Sequence, residues 1–142
     1  MELKKPIKHP KEKTLRKRLW ELCKQIIRNR HGNICYTCDK FGLEGSNWQT
    51  GHMWPKGALG SSMKYDLRIL RPQCYNCNMN LGGMGAVFFA RMTKEMGKPY
   101  MSRLEKDRQT SKNVSIKADW VWLTGMIEEY KIIYTQENLQ LR

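Results

Sequence analysis

The sequence predicts a mixed α+β fold, and three observations lead to this prediction. Two cysteine pairs, Cys35/Cys38 and Cys74/Cys77, enclose a segment whose pattern is typical of short strands and glycine-rich loops. Stretches with apolar residues at helical spacing lie on both sides of that segment. A chain of 142 residues is also long enough to form one domain with a buried core.

The N-terminal part of the chain is basic. Residues 1–12 are rich in Lys and Pro and show no periodicity, so we expect a mobile basic arm. A helix is predicted over residues 13–30, and Gly32 is placed to end it. Apolar side chains recur there every three or four residues, at Leu15, Leu19, Leu22, Cys23, Ile26 and Ile27.

The segment between the cysteine pairs predicts two short strands. The first covers residues 47–53, the second covers residues 65–70, and a loop rich in Gly and Ser lies between them over residues 55–62. From Cys74 to Gly97 we expect a turn that runs into a helix. Its early turns are weakened by three glycines, at Gly82, Gly83 and Gly85.

The C-terminal part predicts further helix. Residues 98–114 are polar and charged, with one short helix expected over residues 102–107. A second long helix is predicted over residues 115–138, with Ser115 as its N-cap. Its apolar stripe consists of Trp120, Leu123, Met126, Ile127, Tyr130, Ile133 and Tyr134.

The net charge points to a polyanionic partner. The chain contains 26 Lys and Arg and 13 Asp and Glu, which gives a net charge of +13. Nucleic acid is the first candidate for the partner, and an anionic membrane surface is the weaker one. The longest apolar runs are too short to span a membrane, and the N-terminus lacks the apolar segment of a secretory signal. We therefore expect a cytoplasmic protein that has no membrane partner.

The cysteines predict a structural zinc site. Five cysteines in a chain without an export signal make disulfides unexpected. Two pairs with a two-residue spacer are typical of a zinc ion held by four thiolates. The alternative is two unrelated pairs of buried or redox-active thiols. Cys23 is expected to pack inside the first helix as a small apolar side chain.

A zinc knuckle, a hairpin and a helix anchored by the second cysteine pair form the treble-clef ββα-metal core of HNH-type nucleases. We expect this core, with the basic N-terminal helix, over residues 13–97 and a C-terminal helical extension over residues 98–142. His52 is the single histidine between the cysteine pairs, and Asn78 directly follows the last cysteine. These two residues are the candidates for the chemistry.

Several motifs in this order resemble the phage NinG (Rap) recombination endonucleases. They are Cys35-Tyr-Thr-Cys38, Gln49-Thr-Gly-His52, Tyr65-Asp66, Gln73-Cys74-Tyr-Asn-Cys77-Asn78 and Leu81-Gly-Gly. The resemblance covers the chain from about Leu19 to Gly97. It implies a zinc-containing nuclease that cuts branched or recombining DNA, such as Holliday junctions, and that acts as a phage protein in the host cytoplasm.

The resemblance also suggests roles for single residues. In phage endonuclease VII, which is more loosely similar, an Asn after the last zinc cysteine binds the catalytic metal, and this role carries to Asn78. His52 is expected to take a proton from the attacking water as a general base. A catalytic Mg²⁺ or Mn²⁺ would be held by Asn78, with Asp66 as the nearest carboxylate. Many HNH nucleases carry an Asp before the catalytic His, and Gly51 takes that position here.

Eight cations are predicted to contact DNA phosphates. They are Lys13, Arg16, Lys17, Lys24, Arg28, Lys56, Arg68 and Arg71. Two other classes of function stay open. A non-catalytic zinc module that binds DNA or RNA would make His52 incidental, and a structural adaptor would dock a partner through the C-terminal helix. A homodimer is a further hypothesis from that aromatic-rich helix.

Overall fold

The computed structural model describes residues 4–5, 8–113 and 118–140. Within these ranges, four α-helices and one two-stranded antiparallel sheet confirm the α+β class. The predicted N-cap Ser115 lies outside the described residues. In chain order the elements are α1 (Glu12–His31), β1 (Gln49–His52), β2 (Leu70–Gln73), α2 (Gly85–Met96), α3 (Lys98–Asn113) and α4 (Trp120–Gln140).

Helix α1 follows the predicted apolar spacing. Its buried residues, Leu15, Leu19, Cys23, Ile26 and Ile27, lie on one face of the helix. The helix ends at Gly32, whose φ of 71° departs from helical geometry. Cys23 is fully buried as predicted, and burial raises the pKa of its thiol to about 12. Helix α1 shares a hydrophobic core with α4, formed by Leu15, Leu19, Cys23, Ile26, Ile27, Leu67, Leu70, Ala118, Leu123, Ile127 and Tyr130.

The second strand differs from its prediction. Residues 65–69 form short 3-10 turns, and the strand covers Leu70–Gln73. The turn begins at Asp66, because its carboxylate accepts a hydrogen bond from the Arg68 N–H at 3.0 Å. Strand β2 then pairs with β1 in a register that places Gln49 opposite Gln73 and His52 opposite Leu70.

After the sheet, the structure confirms the predicted turn that runs into a helix, whereas the next helix differs from its prediction. Cys77 lies in a π-helical turn that covers Asn76–Asn80. Helix α2 begins only at Gly85, because Gly82, Gly83 and Met84 all have positive φ angles. Helix α3 is much longer than the short helix predicted within residues 98–114. It is stabilised by burying two apolar residues in a second core, which contains Tyr36, Met53, Leu59, Met63, Ile69, Phe88, Met92, Met101 and Leu104.

None of the helices in the described ranges is both long enough and apolar enough to cross a membrane.

The backbone at Gly51 leaves no room for a side chain. A methyl group on its Cα would lie 1.7 Å from the Oε1 atom of Gln73. Gln73 is fully buried, and its amide nitrogen donates to the Thr37 hydroxyl at 3.0 Å and to the Gly83 carbonyl at 2.8 Å. Because these bonds hold the Gln73 side chain in place, it has little freedom to move aside.

We therefore expect Gly51→Ala to reduce the free energy of unfolding by about 1–3 kcal/mol, as overpacking of a tight site does. Chemical denaturation of the zinc-loaded protein measures the change. Gly57→Ala is the matched control, since an added methyl group there meets no atom within 4 Å. Equal stability of the two variants would contradict the close approach of Gln73.

Candidate metal centre and adjoining basic cleft

The four predicted cysteines form one cluster. Their Sγ atoms all lie within 4.8 Å of one another, and those of Cys38 and Cys74 are 3.8 Å apart. A tetrahedral zinc ion with Zn–S bonds of about 2.3 Å requires S–S separations of roughly 3.8 Å. Four thiol groups at this spacing fit zinc, and they leave no coordination position for a substrate.

The first cysteine pair lies in a tight turn. The Asp39 N–H donates to the Cys35 carbonyl at 2.9 Å, the Cys35 N–H donates to the Lys40 carbonyl at 2.8 Å, and Asp39 takes a positive φ of 63°. At the second pair, the Cys77 N–H points at the Cys74 Sγ at 3.4 Å. These main-chain bonds aim both pairs at one point.

The cysteine thiols of the cluster differ in pKa. Burial raises the pKa of the Cys77 thiol to about 12. Burial would also raise the pKa of Cys35, but hydrogen bonds from backbone N–H groups and from the Thr37 hydroxyl outweigh it and lower this pKa to about 6. Since zinc binds thiolates, loading the cluster releases protons from the remaining thiols.

A cleft of about 600 Å³ adjoins the cysteine cluster. Helix α1, strand β1, the π-helical turn and the glycine-rich segment before α2 all contribute to its walls. Among the described residues that line it, none carries a carboxylate, so the cleft is cationic. Its lining consists of Trp20, Lys24, Arg28, Gly45, Ser46, Trp48, Gln49, Thr50, His52, Met53, Trp54, Pro55, Lys56, Asn78, Met79, Gly82, Gly83 and Gly85.

His52 is held in a defined orientation in this cleft. Its Nε2 atom lies 2.8 Å from the Lys64 carbonyl oxygen, and because a carbonyl can only accept, Nε2 carries the proton. Its Nδ1 atom then has a free lone pair and makes no hydrogen bond within the described part of the chain. The ring stacks on Trp20 with centroids 5.2 Å apart and planes within 6°.

The surroundings of His52 disfavour its charged form. Burial lowers the pKa of the imidazole below its ordinary value, and the nearby ammonium groups of Lys56 and Lys64 lower it further. The hydrogen bond to the Lys64 carbonyl opposes this shift without reversing it. At neutral pH His52 is therefore neutral and able to accept a proton.

Asn78 lines the same cleft as His52. Its N–H donates to the Cys74 carbonyl at 3.0 Å, so the second cysteine pair sets the position of its backbone. Its Nδ2 atom donates to Gln49 Oε1 at 2.8 Å. The structure thus brings the predicted general base, His52, into the same cleft as one of the two predicted ligands of the catalytic metal, Asn78.

The other predicted ligand, Asp66, lies elsewhere, which corrects the prediction. It lines a separate cavity of about 360 Å³ together with Arg68, Asp107 and Trp122. Both carboxylate oxygens of Asp66 bond to Arg68, with Oδ2 2.7 Å from its Nη2 atom. The reason is the 3-10 turn that replaces the predicted strand at 65–69: it separates this carboxylate from the strand that carries His52.

Three of the eight cations predicted to contact phosphates lie in the cleft, and five lie outside it. Lys24, Arg28 and Lys56 line the cleft. The Arg28 guanidinium donates to the Trp48 carbonyl at 2.6 Å and lies over the Trp48 ring, 4.5 Å from its centroid. This contact holds the cation in one place at the cleft wall.

Five other predicted cations lie outside the cleft. Arg71 is buried, and its guanidinium donates to the carbonyls of Leu70 and Arg68, so it is not free to hold a phosphate. Arg68 is paired with Asp66 and Asp107. The other three cations lie on α1. Arg16 donates to the Glu12 carboxylate and to the Ala118 carbonyl. Lys13 is exposed, and Lys17 lines a groove beside α4.

The sequence analysis assigned no role to Trp20 or Gln49, the residues whose side chains contact His52 and Asn78. Trp20, which stacks on His52, precedes Lys24 and Arg28 by one and two helical turns, and this spacing would have placed all three on one face of α1. Gln49 belongs to the Gln49-Thr-Gly-His52 motif, but nothing in the sequence indicated that its side chain bonds to Asn78. It is 29 positions away in sequence, and only the folding of the sheet brings the two amides together.

A scan against protein-family models, a search of curated proteins and a search of solved structures each find no match for this chain.

Proposed function

We propose that this protein is a metal-dependent endonuclease of the HNH type that hydrolyses phosphodiester bonds in DNA. The proposed substrate is branched or recombination-intermediate DNA, as the motif resemblance implies. One observation carries the proposal: a neutral imidazole with a free Nδ1 lies in a cationic cleft, together with the Asn that follows the zinc cysteines.

His52 supplies the general base in this proposal. Hydrolysis requires a proton to leave the attacking water as it bonds to phosphorus, and a neutral imidazole accepts a proton near neutral pH. The Lys64 carbonyl holds the Nε2 proton in place, so that the reacting atom is Nδ1. The same carbonyl bond stabilises the imidazolium that forms.

Lys24, Arg28 and Lys56 supply the charge that attracts the DNA backbone. Arg28 and Lys24 are one helical turn apart on α1, and Lys56 lies across Trp20 with its Nζ 5.9 Å from the ring centroid. The phosphates next to the scissile bond would lie against these cations.

In this proposal a hard divalent ion would be held between Asn78 and the bound DNA. Asn78 offers an amide oxygen, the kind of ligand that Mg²⁺ and Mn²⁺ accept, and phosphate oxygens of the substrate would complete the shell. When bound, such an ion stabilises charge on the phosphate and on the leaving oxygen. With no carboxylate among the described lining residues, we expect weak metal binding in the absence of DNA.

The proposal is tested by incubating the zinc-loaded protein with a four-way DNA junction and with a linear duplex of the same arms. We expect cleavage that requires added Mg²⁺ or Mn²⁺ and that favours the junction. Failure to cut either the junction or the duplex with either metal would overturn it.

A second candidate function is DNA or RNA binding without cleavage. The absence of a carboxylate among the described lining residues of the cleft favours it, because most catalytic Mg²⁺ sites include at least one. This function predicts binding that weakens steeply with salt and is unchanged by Mg²⁺ or by His52→Ala.

The cleavage rate should depend on pH through His52. Protonated imidazole cannot accept a proton, so the rate should fall as the pH drops through the His52 pKa, with a midpoint below 6.5. Single-turnover rates on junction DNA give this midpoint. Lys56→Gln should move it upward by removing a nearby positive charge, whereas Lys40→Gln, at an exposed position outside the cleft lining, should leave it unchanged.

A further inference from the structure

We infer that Gln49 is a positioning residue that turns the Asn78 amide so that its oxygen is presented to the divalent cation. The inference rests on the proposed function, since it concerns the metal site of that reaction. It is carried by a chain of three groups that line the cleft: the Ser46 carbonyl, the Gln49 amide and the Asn78 amide.

The hydrogen bonds determine the direction of both amides. The Ser46 main-chain carbonyl can only accept, and Gln49 Nε2 donates to it at 3.0 Å. The Oε1 atom of Gln49 is therefore the end that meets Asn78, and it accepts from Asn78 Nδ2 at 2.8 Å. The Oδ1 atom of Asn78 is left as the free end, and within the described ranges it accepts no hydrogen bond.

The direction matters because the two ends of an amide differ in chemistry. A hard cation binds the oxygen and not the NH₂ group, so a rotated Asn78 side chain would offer no ligand. The Asn78 backbone is already held by the Cys74 carbonyl, which leaves the side-chain torsion as the remaining freedom. Gln49 removes that freedom through a hydrogen bond between strand β1 and the π-helical turn.

Mn²⁺ binding tests the inference without relying on cleavage. The zinc-loaded His52→Ala protein is mixed with junction DNA, and bound Mn²⁺ is measured by electron paramagnetic resonance. We expect Gln49→Leu to weaken Mn²⁺ binding by about 10- to 100-fold, as loss of an outer-shell partner does. Gln49→Glu should bind Mn²⁺ at least as tightly as the parent, because its carboxylate can still accept from Asn78 Nδ2 and adds a negative charge to the cleft.

A double-variant comparison separates positioning from a structural role. The two oxygens of a carboxylate are equivalent, so with Asn78→Asp the metal ligand no longer needs to be turned. In that background Gln49→Leu should not weaken Mn²⁺ binding. An equal loss in the Asn78 and Asn78→Asp backgrounds would overturn the inference in favour of a general effect on the fold.

Asn76→Ala is the matched control, since it removes an exposed amide pair between Asn76 and Asn80 on the same helical turn. It should bind Mn²⁺ like the parent. Unchanged binding in Gln49→Leu would overturn the inference and leave the proposed function standing. A parent complex that binds no Mn²⁺ would overturn both the inference and the proposed catalytic metal.

Discussion

Replacing His52 with alanine is expected to lower the rate of junction cleavage by about 10²- to 10⁴-fold, the usual contribution of a positioned general base. The cations of the cleft wall, Lys24, Arg28 and Lys56, remain in the variant. Binding of junction DNA should therefore change little. A loss of rate with retained affinity identifies an interaction made in the transition state.

The loss must be distinguished from a change in the fold. His52 also stacks on Trp20 and bonds to the Lys64 carbonyl, so the variant's zinc content and thermal midpoint should be measured. Added imidazole offers a second readout, because it can enter the space left by the side chain and restore part of the rate. His31→Ala, at the exposed end of α1, serves as the control and should cleave normally. Unchanged cleavage by His52→Ala would remove His52 from the mechanism.

Loss of zinc is expected to unfold the region around the cleft. Structural zinc binding contributes about 10–16 kcal/mol in small domains, which is as large as the whole stability of a typical domain. Cys74→Ser removes one of four thiolates and leaves the other three without a closed shell. We expect this variant to lose bound zinc and to show no cooperative thermal transition at the parent's midpoint.

Cys23→Ala is the matched control for the zinc prediction. Cys23 is buried among the apolar residues of α1 and α4, outside the four-cysteine cluster. This variant should keep the parent's zinc content and lose only a small amount of stability. Chelation of the parent followed by zinc addition should restore both the transition and the cleavage activity. A Cys74→Ser protein that melts like the parent would contradict a structural role for the metal.

The effect of zinc should reach the cleft through Gln73 and Asn78. Gln73 directly precedes Cys74, and its buried amide joins Thr37 in the first cysteine turn to Gly83 in the cleft wall. Asn78 directly follows Cys77 and is held by the Cys74 carbonyl. Because these residues belong to both features, we expect the cleft to be lost when the cluster opens, and cleavage and zinc content to be lost together.

Local spacing allowed much of the fold to be predicted. The apolar period of α1, its end at Gly32 and the convergence of the four cysteines each depend on residues a few positions apart or on a motif with known geometry. The assignment of His52 to a strand end and of Asn78 to the following helical turn depended on the same kind of local signal. For this reason these predictions agree with the structure.

The sequence by itself determined the α+β class, the cysteine cluster and the two residues, His52 and Asn78, that share the cleft. The tertiary structure decided which of the other polar groups reach that cleft: it excluded Asp66 and Arg71 and brought in Gln49 and Trp20. The physical reason is that a cleft wall is made by segments distant in the chain. Their side chains meet only after strand register and helix packing are established, and a shift of one residue in a strand sends each side chain to the opposite face.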